Sequence, residues 1–62
     1  MQALSDLDVY QHLVRTADDL EQMAARTPSL IGETALKTAA QTVRGMATAV
    51  YEHSLSETEE SE

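Results

Sequence analysis

The residues of this chain best equipped for chemistry are its two histidines, His12 and His53. Asp8 precedes His12 by four and Glu57 follows His53 by four, a spacing that puts carboxylate and imidazole on one helix face. A metal centre needs three or four converging ligands, and di-iron bundles use Glu-x-x-His pairs backed by further carboxylates. The positions three before each histidine, 9 and 50, are both Val, so neither metal nor cofactor is expected. Arg15, one turn past His12, would suit a phosphotransfer histidine, but that pattern rests on two residues. The serines at 5, 29, 54, 56 and 61 have no flanking elbow glycines and no base set by spacing. Two glycines 13 residues apart do not make a phosphate-cradling loop. No catalytic residue is assigned, and an enzyme is not expected.

Whatever the chain does must therefore come from its surfaces, and its charge restricts those. Eleven acidic residues against four basic give −7, which argues against phosphate-backbone binding and hence against nucleic acid. The absence of cysteine removes disulfides, thiol nucleophiles and Cys-ligated zinc. It is compatible with a cytoplasmic location. No apolar run approaches the roughly 20 residues of a membrane span. Charge is also unevenly spread: 54–62 holds four Glu and no base, leaving seven acids against four bases, or −3, on 1–53.

The elements follow from spacing. Ser5 with Asp8 three residues on forms a capping box. Leu7, Tyr10, Leu13, Val14, Ala17, Leu20 and Ala24 then recur every three or four residues, predicting a first helix over about 6–26. Asp6, Asp8 and Arg26 complement its dipole. Thr27-Pro28-Ser29 ends it. Thr27 is a candidate cap for a second helix that starts near 29 or only at 33, because Gly32 leaves the restart open. Leu36, Ala39, Val43, Met46, Val50 and His53 follow a 3-4-3-4-3 spacing, an a/d seam in which a titrating His53 would make association pH-sensitive. Glu33 and Lys37 form an i,i+4 pair. That helix is expected to fray by about 55. Residues 1–53 thus read as one helical-hairpin domain and 54–62 as a disordered acidic tail.

An antiparallel all-α hairpin leaves part of each apolar stripe wet. Nine of the 26 hydrophobic residues are Ala, and Phe, Trp and Cys are absent. Chains under about 70–80 residues seldom fold on such a core without reinforcement. Pairing of two hairpins into a homodimeric four-helix bundle is the expected remedy. The dimer or core seam is assigned to Leu13, Ala17, Leu20 and Ala24 with Leu36, Ala39, Val43, Met46, Val50 and His53.

Gly45, flanked by Thr42 and Ala49, is read as a close-packing notch, since a mid-helix glycine costs about 1 kcal/mol relative to Ala. A hairpin centred on Pro28–Ser29 sets Gly45 opposite His12 and near Tyr10. Tyr10 and Tyr51 should meet at one end. With Asp18 and Asp19, on the acidic side of the first helix near Arg15, they are the candidate partner contacts.

In plan, two helices and a trailing acidic segment, the chain resembles the Rop type of dimeric helical hairpin. The resemblance implies the bundle. Rop-like RNA binding would need a basic helix face, and the first helix offers Arg15 and Arg26 among five acids. The expected function is a non-catalytic interaction or regulatory module acting as a homodimer. The alternative is an acidic binder of a basic protein, in the manner of an antitoxin, chaperone or inhibitor.

Overall fold

A computed structural model describes residues 4–60, with side chains for 4–56. It is an all-helical hairpin: α1 (Asp6–Arg26) and α2 (Leu30–Glu60) pack against each other, and no strand occurs among the described residues.

The ends of α1 are fixed by side chains that replace missing helical hydrogen bonds. Ser5, in extended conformation, is the N-cap: its Oγ accepts from the Asp8 amide at 3.1 Å, and Asp8 accepts from the Ser5 amide at 3.4 Å. This is the expected capping box, closed by Asp instead of Glu. Pro28 disfavours the helical conformation in the residue before it. Thr27 accordingly turns extended, donating its amide to the Met23 carbonyl at 3.1 Å as the C-cap of α1.

The restart lies between the two expected positions. Helix α2 begins at Leu30. Ser29 is the side chain at its head, accepting from the Gly32 amide at 3.0 Å. Thr27 accepts from the Ser29 amide at 3.3 Å, so it braces this cap and does not itself cap α2. Gly32 has an ordinary negative φ; its reason is space. A Cβ there would stand 3.1 Å from Thr27 Oγ1 and 3.4 Å from Ser29 Cβ.

Helix α2 continues to Glu60, past the fray expected near 55 and through most of the acidic segment; positions 61 and 62 lie outside the described residues. No Pro or Gly interrupts 46–60, and extending an established helix costs far less than nucleating one.

The hairpin's own seam contains only small side chains at full burial. Ala17 and Ala24 of α1 and Ala40 and Ala47 of α2 are the buried residues among those described, each 2% exposed or less. Leu13, Leu20, Leu36, Val43 and Val50 are half-buried beside them. On α1 the seam is lined by Ala17 and Ala24 with Leu13 and Leu20. On α2, Leu36, Val43 and Val50 hold, but Ala40 and Ala47 fill the intervening places. Ala39 is half-buried at the flank, and Met46 and His53 are exposed. Both sets fit a 3.5-residue period through 36, 43 and 50. Ala39 and Ala40 being the same residue, spacing cannot choose between them. Close approach of two backbones favours Ala47 over the bulkier Met46.

Candidate interaction surface

The seam divides the hairpin into two unlike flanks. One carries the inter-helix charges. Arg44 follows the seam residue Val43, so it projects beside the seam, and Asp18 and Glu21, three apart on α1, meet it. Its Nε donates to Glu21 Oε2 at 3.1 Å, while Nη2 donates to Glu21 Oε1 at 2.7 Å and to Asp18 Oδ1 at 2.6 Å. The two-pronged geometry is the strong form of this pair. The hydrogen bond from Arg44 holds the Glu21 carboxyl below its ordinary 4.5, against a smaller opposing effect of desolvation. The same bonds raise Arg44 above its ordinary value. All three side chains remain 41–54% exposed, so salt screens them.

The consequence for pH has a definite sign. A carboxyl whose folded value is lowered stabilises the fold above its unfolded value and loses that contribution as pH falls through the folded one. The difference in urea midpoint between wild type and Glu21→Gln should therefore be constant above pH 4.5 and shrink below it. A difference unchanged down to pH 3 would mean that the clasp contributes nothing to stability.

Sequence spacing gave Arg15 as the local neutraliser of this acidic patch; the structure supplies Arg44, 26 residues from Asp18. The signal was present but needed the register. The pairs Asp6–His53, Tyr10–Tyr51 and Asp18–Arg44 have midpoints at 29.5, 30.5 and 31, later than a centre on Pro28–Ser29. Gly45 lies five residues past the seam residue Ala40, hence on the outer side of α2, and faces neither His12 nor Tyr10: a Cβ built on it would meet nothing within 4 Å. Thr42 and Ala49 are exposed as well.

At the open end, Tyr10 and Tyr51 meet with ring centroids 5.2 Å apart and planes tilted by 40°, within the range of favourable aromatic pairs. His53 Nδ1 lies 3.1 Å from Asp6 Oδ2, a carboxylate of the other helix; the side chain of Glu57 lies outside the described residues. His12 and Asp19 are exposed. Lys37 and Glu33 pair at 2.9 Å, as their spacing predicts. No three His, Cys, Asp or Glu side chains converge on a metal-sized site among the described residues.

The other flank carries no formal charge in the strip beside the seam; Asp19, two residues past Ala17 as Thr42 is two past Ala40, stands at its outer edge. Helical geometry places Val9, Leu13, Thr16, Leu20 and Met23 of α1 beside Ala39, Thr42, Met46 and Ala49 of α2, on the side of the seam away from Arg44. Met23 and Met46 are 52% and 56% exposed. The two threonines are less polar than their type suggests. Thr16 donates its hydroxyl to the His12 carbonyl at 2.9 Å and Thr42 to the Thr38 carbonyl at 3.1 Å. Each spends its donor on its own helix and leaves its methyl as the group free for packing.

The fold thus defines a two-helix hairpin with the Arg44 ion pairs on one flank and an apolar strip beside the seam on the other. Comparison with protein-family models, curated proteins and solved structures finds no match. Among the described residues, no helix is long and apolar enough to cross a membrane.

Proposed function

We propose that this protein is a non-catalytic interaction or regulatory module that works as a homodimer, two hairpins pairing into a four-helix bundle. The observation that carries this reading is the alanine seam: no large side chain is fully buried among the described residues, and the leucines and valines flanking it keep part of their surface in water. A second copy removes that surface from water at about 25 cal/mol per Å². The Glu-rich end, outside the seam, keeps the assembly soluble.

The acidic-binder reading has less to rest on. Asp18 and Glu21 already hold Arg44, which leaves Asp19 as the acid of that group without such a role assigned. Nucleic acid is not an expected partner, for the same reason of charge.

Sedimentation equilibrium at micromolar concentration tests the proposal. The expected mass is that of two 6.8 kDa chains. A single-chain mass up to 100 µM, with little helix by circular dichroism, would transfer the weight to a hetero-complex.

A further inference from the structure

The charges are distributed so that one flank alone suits a second copy. We infer that the dimer forms through the apolar strip on the side away from Arg44, with Met23 and Met46 at its centre, and that the Arg44 flank faces solvent. This rests on the homodimer reading and deepens it.

Three observations support this occupant. The chain carries −7, or −3 over 1–53, so two copies can approach closely only where acids are missing. The strip beside the seam on the side away from Arg44 has none, with Asp19 at its outer edge on α1 as Thr42 is on α2, whereas the opposite side presents Asp18, Glu21 and Glu33 against Arg44 and Lys37. Secondly, Thr16 and Thr42 have satisfied their own hydroxyls, so the flank can be dried without stranding a donor. Thirdly, its size fits. Two helices each about 10 Å across, over about 18 residues at 1.5 Å each, give roughly 550 Å² in projection. Corrugation of the side chains brings this into the range of about 600–1,000 Å² per partner in stable interfaces.

The flank also has the right texture for helix-on-helix packing. By helical geometry Met23, Met46 and Leu20 share the flank with the small residues Ala39, Thr42 and Ala49. Methionine adapts to irregular gaps. Small residues beside it let a facing helix come close.

The test compares matched charge insertions. Met46 and Met23 are 56% and 52% exposed in the hairpin, and Leu7, on the Arg44 side, is 53% exposed. Glutamate suits a helix at all three places, and near the N-terminus of α1 it is favoured. M46E and M23E should each weaken the dimer by on the order of a hundredfold or more, because each buries unpaired charge twice across the symmetric contact. L7E should sediment as wild type, and M46L should keep the dimer. A dimer that survives M46E and M23E, with or without dissociation of L7E, overturns the inference while leaving the homodimer intact. A wild-type chain that is monomeric throughout overturns both. If M46E unfolds as it dissociates while M46L stays a folded dimer, the flank is confirmed, since Met46 is not part of the hairpin's own seam.

Discussion

Replacing Ala17 by Leu should lower the stability of the fold by about 1–3 kcal/mol, the usual cost of forcing extra methylenes into a packed contact. Ala17 is 0% exposed and lies at the middle of α1, with Ala40 and Ala47 buried on the facing helix. Methyl groups are the only side chains between the two backbones at those places. A leucine cannot rotate out of the contact, because its Cβ already points into it. The strain is relieved only by moving α1 away from α2. That movement also draws Asp18, the next residue, from its 2.6 Å bond with Arg44. Steric and electrostatic losses therefore arise together. Ala25, exposed on the same helix, is the matched control. Leu and Ala have similar helix propensities, so Ala25→Leu should fall within about 0.5 kcal/mol of wild type. Thermal unfolding followed at 222 nm separates them: about 4–8 °C is expected per kcal/mol for a domain this small. If Ala17→Leu unfolds with wild type, the close alanine seam is not what joins the helices.

How much of this arrangement the sequence reveals depends on whether a local or a relative quantity is asked for. The bounds of α1 were legible because every determinant lies within four residues: Ser5 with Asp8 at one end, and Pro28 acting on Thr27 at the other. The Tyr10–Tyr51 meeting was legible because opposite ends of a hairpin must come together. Register was not. It depends on how the connection crosses between helices, and a shift of one to two and a half residues in its centre moves each facing pair by two to five. That shift hid the Arg44 clasp, whose three members are ordinary surface residues when each is taken alone. The choice of Ala40 and Ala47 over Ala39 and Met46 was likewise relational. It turns on what the facing helix places there, and a single helix's period does not contain that information.

The same relational property links the fold to its proposed role. A seam lined with alanine brings two helices together without consuming their aliphatic side chains. Leu13, Leu20, Val43 and Val50 stay half-buried, and Met23 and Met46 stay exposed. Larger residues at 17, 24, 40 and 47 would make a thicker core and a narrower outer face. On the proposed homodimer reading, the hairpin is a plate whose remaining apolar surface is covered by the second copy. Arg44, Asp18 and Glu21 brace it from the side that this contact does not need.

The second large effect follows from that division of surface. If the outer face is covered only in the dimer, folding and association are one event, and the unfolding midpoint must depend on protein concentration. For two chains unfolding together, each tenfold rise in concentration adds about 1.4 kcal/mol to the stability of the pair. The unfolding entropy of two 62-residue chains, taken at about 2.1 cal/mol/K per residue, converts this to roughly 5 °C per decade. Melting curves at 1, 10 and 100 µM should therefore spread over about 10 °C. The M46E variant removes the linkage, so its midpoint should be low and the same at all three concentrations. A wild-type midpoint that does not move would mean that the alanine seam and the exposed half-cores suffice on their own. The energetic argument for a second copy would then fail even if a dimer were seen by mass. Concentration dependence tests whether the dimer is required for the fold, whereas mass tests only whether it exists.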